Sequence, residues 1–114
     1  MPKTAKEFVD DAINSQTAVI FTGPFNIFEK QAREALTKEG IKSIHRILLE
    51  DEKPNQEEMP NQEEIVAYLR ELTNQYTLPM IFVAKVFIGG SDDTLNAISR
   101  GKIRELLLPF GETD

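Results

Sequence analysis

Polar and apolar positions change their period several times along this chain, and each change predicts an element. Thr4 and Glu7 stand at capping-box spacing, and Ala5, Phe8, Val9, Ala12 and Ile13 recur at helical intervals. Together they predict a first helix of about a dozen residues. Residues 18 to 22 make a short continuous apolar run, the pattern of a strand buried on both faces. Helical period returns over residues 29 to 39, with Phe28, Ala32, Ala35 and Leu36 on one face and Gly40 as the stop. Residues 43 to 49 read as a second strand, placed near a sheet edge because His45 and Arg46 interrupt it.

A tandem copy comes next: Pro54-Asn55-Gln56-Glu57-Glu58-Met59 is followed at once by Pro60-Asn61-Gln62-Glu63-Glu64-Ile65. Two six-residue units lengthen a loop rather than build a repeat fold. The second copy starts a helix, with Asn61 and Glu64 at capping-box spacing and Ile65, Tyr68, Leu69 and Leu72 on one face. Residues 80 to 83 and 86 to 88 are apolar runs broken by Ala84-Lys85, which predicts a hairpin with both arms largely buried. Gly89-Gly90 ends it, and Ser91 is read as the N-cap of a last helix with Asp92 and Asp93 in its first turn. Leu95, Ile98, Ile103, Leu106 and Leu107 are the apolar positions of that helix.

The order helix, strand, helix, strand, helix, strand, strand, helix combines one β-α-β unit with a hairpin. It predicts an α/β fold: a four-stranded mixed sheet flanked by helices on both faces. With 114 residues, 40% of them hydrophobic, the chain is expected to form one domain spanning residues 1 to 114, with an acidic loop insertion at about 50 to 60.

Charge and composition narrow the function. The net charge is −6, and residues 50 to 64 hold seven acids against Lys53, leaving twelve acids and twelve bases elsewhere. A neutral body with one acidic stretch is the wrong footprint for nucleic acid. The stretch reads as a solvated loop and helix start, or as a docking patch for a basic partner. The first twenty residues are an acidic amphipathic segment, and no apolar run approaches a membrane span, so the expected address is cytoplasmic. There is no cysteine, which removes disulfides, thiol chemistry and cysteine metal sites. The lone His45 reads as a surface strand residue, and carboxylates alone do not make the loop of a calcium site, so no metal is expected.

Four pieces of the second half carry a resemblance: Thr77-Leu78-Pro79, the apolar strand after it, Phe87-Ile88-Gly89-Gly90 with Asp92-Asp93, and Gly101-Lys102-Ile103-Arg104-Glu105-Leu106-Leu107. In order and spacing they resemble the C-terminal half of a glutaredoxin, with its T-V-P, F-I-G-G-x-D-D and G-K-L-x-x-L-L motifs. The resemblance implies a thioredoxin-like, glutaredoxin-type fold over nearly the whole chain, a cis peptide bond before Pro79, and glutathione-dependent disulfide exchange as the family activity.

The same resemblance locates what is missing. Aligned without a gap through Val19-Ile20-Phe21 and Ala32-x-x-Ala35-Leu36, the family's Cys-x-x-Cys positions fall on Asn26-Ile27-Phe28-Glu29. Asn26 and Glu29 therefore occupy the cysteine positions, and an amide offers neither the nucleophile nor the cluster ligand that a thiolate does. Asn26-x-x-Glu29 is instead a capping-box signature, with Glu29 expected to reach back to the cap and to repel an anionic ligand. The family's charged grips on glutathione fall on Gly23, near Val66 and on Tyr76. What the resemblance leaves is a backbone frame of Leu78, Pro79, Gly89, Gly90, Ser91 and Asp92.

The leading expectation is a redox-inactive glutaredoxin-like binding module with no catalytic residue. Its groove would be formed by Phe28, Tyr76, Thr77, Leu78, Pro79, Gly89, Gly90, Ser91 and Asp92, together with Pro24 and Phe25, and would hold an unidentified protein or peptide. A second reading is a weak glutathione-binding or transferase-like protein, glutathione being the one small molecule the resemblance suggests. Loss of two or three charge-assisted hydrogen bonds, each worth about 1.5 to 3 kcal/mol, makes that affinity weak. A third is a structural subunit that contacts partners through the acidic loop.

Overall fold

The computed structural model describes residues 3 to 24, 26 to 49 and 61 to 110. The elements run α1 (Ala5–Ser15), β1 (Ala18–Thr22), α2 (Ile27–Lys38), β2 (Ile44–Leu48), α3 (Gln62–Thr73), β3 (Met80–Val83), β4 (Val86–Gly89), α4 (Ser91–Ser99) and α5 (Lys102–Leu107), closed by a 3-10 turn at Leu108–Phe110. Residues 50 to 60, the expected acidic insertion with the first tandem copy, lie outside the described residues.

The strands form one mixed sheet in the order β2-β1-β3-β4, with β1 parallel to β2 and antiparallel to β3. Because side chains alternate across a strand, β1 divides its residues between two cores. Val19 and Phe21 join Val9, Ala12, Ile13, Ile65, Leu69, Met80 and Phe82 beneath α1 and α3. Ala18 and Ile20 join Ala32, Leu36, Ile81, Val83, Ile103 and Leu107 beneath α2 and α5. Phe21 and Phe82 meet edge to face at 5.9 Å, which ties β1 to β3 on the α1–α3 side.

Local chemistry explains most element ends. Thr4 accepts from the Glu7 amide at 3.1 Å while Glu7 accepts from the Thr4 amide at 3.0 Å, the full capping box the spacing predicts. At α3 half of the expected box forms: Asn61 accepts from the Glu63 amide, and no return bond from Glu64 accompanies it. The Ala84-Lys85 reversal places both residues at positive φ, the hand that matches strand twist in a two-residue hairpin.

Four expectations need correction. The hairpin is not buried in both arms: β3 is buried throughout, whereas Val86 is exposed and Phe87 and Ile88 are half-buried, because β4 is the sheet edge. The last helix is two helices: Gly101, at φ 75°, turns the chain between α4 and α5 so that Ile103 and Leu107 reach the sheet. The α4 cap is Gly90 rather than Ser91, with Asp93 accepting from the Gly90 amide at 3.1 Å. Leu72, placed on one face of α3 with Ile65 and Leu69, is exposed while those two are buried.

Candidate functional site

The site assembles where the start of α2, the loop before β3 and the start of α4 converge. Pro79 follows a cis peptide bond, as the resemblance implied. Gln75 fastens that loop, its Nε2 donating to the Thr77 carbonyl at 2.8 Å and to the Pro79 carbonyl at 3.1 Å. Asn26 faces it from α2: its Oδ1 accepts from the Glu29 amide at 3.0 Å and its Nδ2 lies 3.5 Å from the Leu78 carbonyl. One side chain thus caps the helix and reaches across to the loop.

Each member of the expected groove has a distinct place. Leu78 is half-buried against the α1–α3 core, Pro79 is buried, and Thr77 and Tyr76 are exposed. Phe28, placed both on the apolar face of α2 with Ala32 and Leu36 and in the groove, is 59% exposed, beside Ile27 at 67%. Ser91 is buried and its hydroxyl donates to the Phe28 carbonyl, joining α4 to α2. Asp92 is exposed in the first turn of α4. Phe25 lies outside the described residues.

The glycine pair divides its work. At Gly89, with φ 130°, a Cβ would overlap the Asp93 carboxyl group, so the close approach there is to α4's own cap rather than to a ligand. At Gly90 a Cβ would meet the Pro79 carbonyl at 3.7 Å, an ordinary contact, so Gly90 borders the loop.

Glu29 departs most from expectation. It does not reach back to cap α2 but is fully buried, bridging Arg33 of the next turn at 3.2 Å and Arg46 of β2. A buried carboxylate needs partners, and two guanidiniums outcompete one backbone amide. The carboxylate is therefore neutralised locally, and the repulsion expected toward an anionic ligand does not follow.

Sequence reasoning missed four residues here. Arg33 was findable, since it stands four residues after Glu29, helical ion-pair spacing. Arg46 was not, because its approach depends on the parallel register that sets it beside Ile20. Gln75 and Arg70 depend equally on the fold; the Arg70 guanidinium lies 5.3 Å from the Tyr76 ring centre and brings a cation to a margin expected to lack one. His45 is an exposed strand residue, 3.1 Å from the Ser15 hydroxyl. Among the described residues no cluster of three or more metal-ligating side chains occurs, and no helix is long and apolar enough to cross a membrane.

Known proteins resemble this chain in sequence and fold along most of their length. Glutaredoxin-2 of Schizosaccharomyces pombe is 32% identical over 112 residues, covering 98% of this chain and 94% of the relative. The chain belongs to the glutaredoxin family. Human glutaredoxin-1 is likewise 32% identical over 107 residues, covering 94% of this chain and 96% of its own. No protein-family model matches. Among solved structures, a buckwheat glutaredoxin–glutathione complex superposes with a TM-score of 0.79 at 23% identity, over 96% of this glutaredoxin and 93% of that chain. A wheat glutaredoxin gives 0.74 at 29% identity, over 94% and 96%. This glutaredoxin thus keeps the family's sheet and flanking helices while having no cysteine anywhere in its sequence.

Proposed function

We propose that this protein is a redox-inactive glutaredoxin that acts as a binding module, holding an extended peptide of a protein partner between the start of α2 and the cis-proline loop. The carrying observation is the exposure of Ile27 and Phe28 on the first turn of α2, where the family places reactive chemistry. Burying a side chain of this size contributes about 1.5 to 3 kcal/mol, so two such residues left in water provide binding energy to a partner that covers them. Tyr76, 68% exposed, extends the apolar margin on the other side of the loop. Gln75 supports the reading by holding the loop rigid, which lowers the ordering cost of binding.

A second reading, weak glutathione binding, draws on the buckwheat complex and on two features of this chain: the first turn of α4 beside Gly90, and the Arg70 guanidinium near Tyr76. A transferase variant of it lacks support, since no base stands beside the cis-proline loop among the described residues to activate a bound thiol.

Selection of a displayed peptide library on the wild-type protein, with Phe28→Ala as the counter-screen, tests the proposal. Peptides that bind the wild type and weaken about tenfold or more with Phe28→Ala are expected from loss of one buried aromatic anchor. Enriched peptides indifferent to Phe28→Ala, or no enrichment, overturn it. A parallel ¹⁵N-HSQC titration with millimolar reduced glutathione decides the second reading: saturable shifts at Leu78, Gly90, Ser91 and Asp92 support it, and their absence rejects it.

A further inference from the structure

On the other side of α2, facing β2, a cleft of about 480 Å³ is lined by Pro24, Asn26, Ile27, Glu29, Lys30, Arg33, Arg46 and Leu48. It lies over the sheet edge, whereas the groove above lies toward β3 and α4. Its charge is uneven, with three cations against the single carboxylate of Glu29. That carboxylate is fully buried and divided between two arginines, one oxygen to each, and both contacts run through Nε. Holding a guanidinium by Nε fixes its plane and leaves its terminal nitrogens as further donors. Both arginine side chains are partly exposed, so those donors remain reachable from solvent.

We propose that Glu29 organises Arg33 and Arg46 into a clamp for a phosphoryl group, with Lys30 as the third cation. The charge favours a dianion: the four groups sum to two positive charges, which a phosphate monoester balances and a carboxylate does not. Arginine is suited to the task because its planar fork meets phosphate oxygens in pairs. Pro24, Ile27 and Leu48 supply an apolar wall beside the charges, so a phosphate ester with an apolar body fills the cleft better than free phosphate. The two sources share one chemistry and differ in affinity.

Ile27 borders both this cleft and the groove at the cis-proline loop, but the charged groups of the clamp, Lys30, Arg33 and Arg46, take no part in the groove, so the two are tested separately. Phenyl phosphate, inorganic phosphate and benzoate are titrated into the ¹⁵N-labelled protein just above neutral pH, where phosphate monoesters are dianionic. Saturable shifts at the amides of Lys30, Arg33, Arg46 and Leu48 are expected with phenyl phosphate. Benzoate should bind about tenfold more weakly, and Arg46→Lys, which keeps the charge but loses the fork, should weaken phenyl phosphate by about the same factor. Lys30→Gln changes an exposed side chain, so it tests the clamp without putting the fold at stake, and should cost severalfold. Phenyl phosphate binding tighter than inorganic phosphate assigns the site to an ester, and equal binding assigns it to free phosphate. The proposal is overturned by the absence of saturable shifts, by benzoate binding as well as phenyl phosphate, by binding that Lys30→Gln leaves unchanged, or by shifts confined to the cis-proline loop.

Discussion

Glu29 and Arg46 meet across the space between α2 and the edge strand β2 and join the two elements. The acid has no exposed surface, whereas the arginine side chain keeps 40% of its own. Removing either partner is therefore not symmetrical. Arg46→Ala leaves a buried carboxylate with Arg33 alone and should cost about 2 kcal/mol, below the 3 to 5 of a fully buried pair because Arg46 is partly solvated. Glu29→Met lets both arginines turn to water while filling the space, and should change stability by no more than about 1 kcal/mol. Urea unfolding of the two variants checks the order; a larger loss for Glu29→Met would contradict it.

Gly89 and Gly90 are neighbours with opposite tolerance. Gly89→Ala places a methyl group on the Asp93 carboxyl group at a φ that side chains rarely adopt, and should destabilise by about 2 to 4 kcal/mol. Gly90→Ala meets the Pro79 carbonyl at an ordinary distance, so the loss should stay near the cost of a poorer N-cap, about 1 kcal/mol. Thermal melts of both variants distinguish the two positions.

A cysteine at the lost position should find the helix terminus still electrostatically active. Asn26→Cys sets a thiol at the N-cap of the twelve-residue α2, where the macrodipole favours the anion. Its pKa should fall at least about one unit below the 8.5 of a free cysteine, read from thiolate absorbance against pH. Loss of the Asn26 cap should lower stability by about 1 kcal/mol in the same variant. The wild type should show no disulfide exchange with any thiol substrate.

Stability should fall at both ends of the pH scale, and the α1–α3 contact contributes to each. The Lys6 ammonium beside Asp10 holds that carboxyl below the usual range, and the hydrogen bonds with Thr4 do the same for Glu7. Both contributions are complete above the unfolded carboxylate pKa of about 4 and vanish as pH drops through the lower folded values. The Asp10 hydrogen bond raises Lys6, and burial with the Asp10 hydrogen bond raises the Tyr68 phenol. These contributions are complete below about pH 10 and are lost as pH rises through the raised values. Urea midpoints across pH should form a plateau between these limits, and Asp10→Asn should flatten both edges of it.

The pattern of residues made most elements legible. Continuous apolar runs marked β1 and β3, helical spacing marked α1 and α3, and Thr4 with Glu7 capped α1 as their spacing required. What failed were statements about faces. Phe28 fits the helical stripe of Ala32 and Leu36, yet it stands on the first turn of α2, beyond the edge of the core. Glu29 fits a capping box equally well, until β2 brings Arg46 within reach. Of the candidate site, the sequence marked Asn26, Pro79 and Ser91 but not what each touches.

The sequence alone determined that the chain forms a four-stranded α/β sheet of glutaredoxin type and, through the absence of cysteine, that it has no thiol to exchange. The sheet follows from local periodicity, its glutaredoxin type from the resemblance of four short motifs, and the missing thiol from the chemistry of residue types, none of which depends on distant contacts. Only the tertiary structure decided that Glu29 turns inward to two arginines, that Ile27 and Phe28 stay in water, and that Gln75 holds the cis-proline loop. Each reflects competition between a local hydrogen bond and a stronger partner, or between a helix face and the limit of the core. That competition is settled by which strands and loops the fold brings alongside.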